Sequence, residues 1–192
     1  MTLYLASASP RRHELLKQIG VNFNVVSVNV DESGLPNESP ADYVKRVAQA
    51  KAVAGFQALS DPQAVVLGGD TSVICGGRIF GKPEHQAHAR DMMRALSGGW
   101  HEVYSAITLV DATRQETRLV KTKVRFRTIS DSEAARYWQT GEPEGKAGGY
   151  AIQGLGSVFV DRIEGSYTGV VGLPVAETAE LLGQFGISVW QD

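Results

Sequence analysis

Leu3-Tyr4-Leu5-Ala6-Ser7-Ala8-Ser9-Pro10-Arg11-Arg12 begins as a strand and ends as the first turn of a helix. Leu3 to Ala6 is a short apolar run of strand type. Ser9 is placed as an N-cap, with Pro10 at the first helical position, where a missing N–H costs nothing. The helix behind them carries Leu15, Leu16 and Ile19 and stops at Gly20. A strand feeding straight into a helix is the unit of an α/β fold. It also makes an anion site, because a helix N-terminus presents N–H groups and a partial positive charge. Ser7 and Ser9 add hydroxyls, and Arg11 and Arg12 add guanidinium forks that match phosphate oxygens in pairs. The plainer reading is a cap with solvated arginines. A basic first turn opposes the helix dipole, however, which favours an anion there.

Outward from this unit, strand and helix patterns keep alternating. Phe23 to Val30 alternates like a strand, and Ser39-Pro40-Ala41-Asp42 caps a helix running to about Phe56. Ala64 to Leu67 reads as a short buried strand ending at Gly68-Gly69-Asp70-Thr71. Val73 to Cys75 and Arg78 to Phe80 flank Gly76-Gly77, a hairpin signal, since a two-residue primed turn needs positive φ. A helix from about Gln86 to Leu96 ends at Gly98, and Val103 to Val110 and Leu119 to Ile129 read as long strands. Ser130-Asp131-Ser132-Glu133 is a capping box opening a helix to about Gln139. A Gly-rich loop spans 141–149, with strands expected near 150–153, 157–163 and 168–171. A helix from Pro174 to Phe185 and a strand from Ile187 to Trp190 close the chain. No repeat, linker or low-complexity stretch interrupts it, so one domain over 1–192 is expected.

Composition bounds the function. The chain has 192 residues, 43% hydrophobic and 21% charged, which is ordinary globular usage. Nineteen basic against 21 acidic residues give a net charge of −2, without the broad basic field that nucleic acid or an anionic membrane attracts. A single cysteine, Cys75, excludes an intrachain disulfide and a multi-cysteine metal site. No apolar run approaches the ~18 residues of a membrane span, and Met1 to Ala6 carries no basic leader, so a cytoplasmic protein is expected. Glycine stands at 21 of 192 residues, above the usual level of about 7%, which points to turns and to close backbone approaches.

Several residues invite chemistry. Lys51 lies four after Val47 and seven after Val44, on its helix's apolar stripe, where an ammonium is either at work in a cleft or snorkelling from the edge. Asp70 sits where a buried strand is expected to end, the place ligands collect in open α/β sheets, so a cleft at strand ends is predicted. A carboxylate there suits a divalent ion or a general base, against the alternative of a turn aspartate bonding its own backbone. Gly76-Gly77-Arg78-Ile79-Phe80-Gly81-Lys82-Pro83 imitates a P-loop but spans a hairpin and has Pro83 where a metal-binding hydroxyl is required. Lys82 is kept as a phosphate candidate. Gly154-Leu155-Gly156 lacks the third glycine of a dinucleotide loop. Lys121, Lys123, Arg125 and Arg127 line one strand face, which reads as a solvated sheet surface. His85 and His88 have no third partner for a metal.

Many ordered motifs together resemble the Maf family of nucleoside triphosphate pyrophosphatases over essentially the whole chain. They are Ser7-Ala8-Ser9-Pro10-Arg11-Arg12, Asp31-Glu32, Ala50-Lys51-Ala52, Gly69-Asp70-Thr71, Gly81-Lys82-Pro83, Leu96-Ser97-Gly98, His101-Glu102-Val103, Gly141-Glu142-Pro143, Lys146-Ala147-Gly148, Ile152-Gln153-Gly154 and Val170-Val171-Gly172-Leu173-Pro174. Two positions depart from the pattern, both small for small: Gly69 where Ala is usual, and Ser105 where Thr is usual. The resemblance implies a mixed twisted sheet flanked by helices, like that of inosine triphosphate pyrophosphatases. It implies hydrolysis of nucleoside triphosphates to monophosphate and diphosphate with Mg²⁺ or Mn²⁺. Lys146-Ala147-Gly148-Gly149-Tyr150-Ala151-Ile152-Gln153-Gly154 looks like the branch acting on dTTP and UTP.

On that resemblance Asp70 is the proton acceptor and shares a metal with Glu32. Ser7, Ser9, Arg12, Lys51 and Lys82 carry phosphates, and Arg12, Thr71 and Gln153 select the base. A house-cleaning role against modified nucleotides, with a link to cell-division arrest, is implied, and the resemblance admits a homodimer. Two rivals stay open: a nucleotide-binding regulator of septum formation without turnover, and a phosphomonoesterase.

Overall fold

The fold comes from a computed structural model that describes residues 1–191. In chain order the elements are β1 (Thr2–Ala6), α1 (Pro10–Gln18), β2 (Asn24–Val25), α2 (Pro40–Gln57), β3 (Ala64–Cys75), β4 (Arg78–Phe80), α3 (Gln86–Leu96), β5 (Trp100–Val110), β6 (Gln115–Phe126), α4 (Asp131–Gln139), β7 (Val160–Glu164), α5 (Tyr167–Val171) and α6 (Val175–Gln184). Short 3₁₀ turns lie at Ala147–Gly149 and Leu155–Phe159. The strands follow the order β2-β1-β3-β5-β6-β7, with β4 on β3. β1 is parallel to β2 and β3, while β3–β4 and β6–β7 are antiparallel, so the sheet is mixed as expected. Among the described residues no helix is long and apolar enough to cross a membrane.

The chain packs as two compact units. The first comprises Met1–Asp70, Ser105–Val120 and the residues from Gly172 onward; the second comprises Thr71–Tyr104 and Lys121–Val171. In the first unit Leu5, Leu16, Val44, Leu67, Ile107, Leu109, Leu173 and Leu181 are fully buried. Helix α2 approaches β3 so closely that a Cβ at Gly68 would stand 2.5 Å from the Ala48 carbonyl oxygen and the Ala52 nitrogen. In the second unit the core is aromatic: Phe126 meets His101 and Tyr150 edge-on at 4.8 Å each, and Tyr137 meets Phe159 at 5.1 Å.

Local signals held where side chains close their own bonds. The Ser39 hydroxyl accepts from the Asp42 N–H at 3.2 Å, the Ser130–Glu133 capping box is complete, and the Gly76-Gly77 turn has φ of 57° and 75°. Tertiary contacts overrode the rest. β3 does not stop at Gly68-Gly69; it runs twelve residues through Asp70 to Cys75. Gly68 is there to admit α2, not to turn the chain.

Of 23–30 only Asn24 and Val25 join the sheet. The segment leading on to α2 is held by that helix's side chains: the Tyr43 hydroxyl donates to the Glu32 carbonyl at 2.8 Å and Arg46 to the Ser33 carbonyl at 2.8 Å. Residues 150–153 and 187–190 are not strands, and 155–159 is a 3₁₀ turn. The Trp190 and Gln191 N–H groups return to the Ile19 and Gly20 carbonyls. Residues 167–171 are helical, because the Ser166 hydroxyl accepts from the Gly169 N–H at 3.0 Å and the Ser166 carbonyl from the Val170 N–H.

Candidate active site

β1 and β3 run parallel as far as Ala6 beside Gly68. Beyond that level β1 gives way to the Ser7–Arg12 turn, while β3 continues two residues to Asp70. The carboxyl end of the parallel pair is therefore where both sit, although the strand bearing Asp70 goes on.

The charges here hold one another. Lys51 Nζ lies 3.1 Å from Asp70 Oδ1 and 3.0 Å from Glu32 Oε1. The Lys51 and Asp70 side chains are only 13% and 11% exposed, whereas Glu32 is 48% exposed. Lys51 is thus largely buried and bridges two carboxylates. Arg12 is buried; its Nε donates to the Gly172 carbonyl at 2.8 Å and its Nη1 to the Ser7 hydroxyl at 3.1 Å. Gly172 offers that carbonyl at φ 139°, a conformation that favours glycine. Burial pulls the Arg12 guanidinium down from its usual pKa, and the Asp70 carboxylate opposes the shift. The Ser7 hydroxyl also accepts from the Ser9 N–H at 3.2 Å, and the Ser7 carbonyl meets His13 Nε2 at 2.8 Å. Ser9 occupies the N-cap position of α1, but its hydroxyl makes no cap hydrogen bond. Ser9 thus leaves the start of α1 without a side-chain cap of its own.

Thr71, Lys82 and Gln153 belong instead to the second unit. Thr71 follows Asp70 on β3, and the pleat turns successive side chains to opposite faces. Lys82 is exposed just after β4, where the Gly81 carbonyl accepts from the Gly148 N–H at 3.0 Å. Gln153 is exposed in a turn between buried Ile152 and buried Gly156.

The sequence pattern of the Maf-like proteins matches residues 2–185. The chain belongs to the Maf family. It is 50% identical to the dTTP/UTP pyrophosphatase of Hahella chejuensis, covering 99% of this chain and 95% of the relative. It is 51% identical to the dTTP/UTP pyrophosphatase of Saccharophagus degradans, covering 99% and 91%. Among solved structures, the Staphylococcus aureus Ham1 protein aligns with a TM-score of 0.48 at 18% identity, over 98% of this chain and 91% of that one.

For a Maf chain the donor set can be tested against a divalent cation. Among the described residues no group of three or more His, Cys, Asp or Glu converges. Two carboxylate oxygens do converge on one cation, the Lys51 ammonium. Hard oxygen donors are what Mg²⁺ and Mn²⁺ take, and Mg²⁺ typically uses one or two carboxylates, completing its shell with water and substrate phosphates. Glu32 and Asp70 fit that pattern.

Reasoning from sequence missed Tyr43, although it lies on the same stripe as Val47 and Lys51, four residues apart each time. It placed Glu142 within the Gly141-Glu142-Pro143 motif without giving it a role, and it missed Tyr137. They bond each other and the backbone N–H groups of Ala151, Leu155 and Gly156, and no residue pattern announces a bond to backbone.

Proposed function

We propose that this chain hydrolyses dTTP and UTP to the monophosphate and diphosphate with a divalent cation. The observation that carries the reading is the Lys51-bridged pair of Glu32 and Asp70 beside an uncapped helix start, in a chain half identical over nearly its full length to relatives named for that activity.

A triphosphate's negative charge repels a nucleophile, so attack at the α-phosphorus needs cations and an activated water. Glu32 and Asp70 would hold the divalent ion, which neutralises phosphate charge when bound. Asp70 accepts the proton of the attacking water. Lys51, already 3.0 and 3.1 Å from the two carboxylates, exchanges part of that pairing for phosphate oxygens. Arg12, Ser7 and Ser9 line the anion-binding turn, and Lys82 contributes a further cation to phosphate. Arg12, Thr71 and Gln153 select the base. The Gln153 amide offers one acceptor and one donor group, the complement of a uracil-type carbonyl and imide N–H. Thymine's methyl lies off that edge. Modified uracils substituted there would pass too, which suits a house-cleaning role in the cytoplasm.

The test is a panel of canonical and C5-modified nucleoside triphosphates scored for diphosphate, with Mg²⁺ and with excess chelator. Diphosphate from UTP and dTTP, lost with chelator, is expected. Orthophosphate as first product would make the chain a phosphomonoesterase, and binding without turnover would make it a regulator.

A further inference from the structure

We propose that Glu142 is a positioning residue that, with Tyr137, clamps the turn displaying Gln153 and so sets selectivity among pyrimidine triphosphates. This rests on the reading of Gln153 as the base-selecting residue.

The Glu142 carboxylate accepts three hydrogen bonds: from the Tyr137 hydroxyl at 2.5 Å, the Leu155 N–H at 2.8 Å and the Gly156 N–H at 2.8 Å. The Tyr137 oxygen accepts in turn from the Ala151 N–H at 3.1 Å. Two side chains therefore take the N–H groups of 151, 155 and 156, on both sides of Gln153. The turn closes on itself through the Gly154 N–H to the Ala151 carbonyl at 3.2 Å. Ala151, Ile152 and Gly156 are buried, while Gln153 at the tip and Leu155 beyond it are exposed.

The two glycines set aside as a weak nucleotide-loop signal have their use here. A Cβ on Gly154 would overlap the Glu142 carboxylate, and one on Gly156 would stand 2.6 Å from the Tyr137 hydroxyl. The spacing Gly154-x-Gly156 admits the clamp.

Charge is part of the device. Partial burial pushes the Glu142 carboxyl up, but the bonds from Tyr137, Leu155 and Gly156 outweigh it and hold the group below the usual carboxylate range. A carboxylate can take all three donors. A glutamine amide can accept at one oxygen only and would turn its NH₂ toward a backbone N–H. The loop would then lose an anchor while the surrounding aromatic core stays filled.

The experiment measures kcat/KM for UTP and CTP with Mg²⁺ on the full chain and on E142Q, Y137F, Q153A and E142Q/Q153A, with Tm recorded for each. A displaced Gln153 leaves its own amide mismatched, so E142Q should lower the UTP/CTP ratio ~5-fold or more. Y137F should lower it less, in the same direction. The double variant should show the ratio of Q153A alone, because a clamp acting through Gln153 has nothing left to position. Equal losses on both substrates in E142Q, or a further fall in the double variant, would overturn the proposal. An unchanged ratio in Q153A would instead remove the base-reading role, and the clamp's effect on selectivity with it. Should E142Q fail to fold, Y137F and Y137F/Q153A carry the same cycle.

Discussion

In the first unit the cations are held through their own charged groups: Lys51 sits between the Glu32 and Asp70 carboxylates, and Arg12 donates to the Gly172 carbonyl and the Ser7 hydroxyl. In the second unit Lys82 and Gln153 are exposed, and what is held there is backbone, by Glu142 and Tyr137. On the proposed reading Lys51 meets a highly charged phosphate, and it is kept in place by opposite charge, which substrate and metal can take over. A group that must read an uncharged base edge cannot be pinned by its own amide without using up the atoms that read. It has to be placed through the main chain. Changes at Lys51, Glu32 and Asp70 should therefore act on turnover, and changes at Gln153, Glu142 and Tyr137 on the choice of substrate.

The largest expected effect tests the first half. Asp70→Asn keeps the size of the side chain but removes the base and one negative charge, and should lower diphosphate release ~10²–10⁴-fold on UTP and dTTP alike. A variant keeping more than a tenth of wild-type turnover would move the base to Glu32.

Next in size is a stability effect confined to the second unit's core. His101 is 3% exposed, its Nε2 2.8 Å from the Tyr150 hydroxyl and its ring edge-on to Phe126. Burial holds its pKa down at about 4, against 6.5 for a free side chain. The unfolded chain therefore binds the proton first. The stability this represents is intact above about pH 6.5 and is lost as pH falls toward 4, amounting to about 3 kcal/mol by linkage. Thermal unfolding between pH 7 and pH 4.5 should show a steeper Tm loss in wild type than in His101→Asn. Parallel curves would rule out His101 as the source of the acid sensitivity; Glu133, held down at about 2 by its bonds from Arg127 and Ser130, loses its contribution only below about pH 4.5, outside this scan.

Gln153→Ala should lower kcat/KM for UTP by the equivalent of about 1–3 kcal/mol while changing CTP far less. If UTP, dTTP and CTP fall together, Gln153 only shapes its turn and the contrast between the regions weakens. The smallest effects are the controls. Ser39→Ala uncaps α2, which carries Lys51, and Ser130→Ala uncaps α4, which carries Tyr137. Each should cost about 1 kcal/mol, a Tm loss of about 2–4 °C. Neither should alter the UTP/CTP ratio, and a shift with Ser130→Ala would show that the clamp depends on helix stability.

Legibility followed the range of the interaction. The α2 cap, the capping box and the Gly76-Gly77 turn each close within a few residues, so residue identity announced them. Lys51 was legible as a charge on an apolar stripe, because that spacing is set by the helix itself. Gly68-Gly69 reads wrongly as a strand end, because a glycine admitting a helix looks the same in sequence as one admitting a turn. The strand-like Thr168-Gly169-Val170-Val171 became helix because the Ser166 hydroxyl and carbonyl accept its N–H groups.

The sequence by itself determined the alternation of strands and helices, the anion-ready start of α1 and the catalogue of chemical groups, since these depend on local periodicity and on which atoms each residue carries. Only the tertiary structure decided that Lys51 spans Glu32 and Asp70, each 19 residues away along the chain. It alone decided that β3 passes through Asp70, and that Glu142 holds the turn of Gln153. Each of these depends on which backbone atoms come to lie opposite a side chain after the chain has packed, and main-chain N–H groups are the same at every residue.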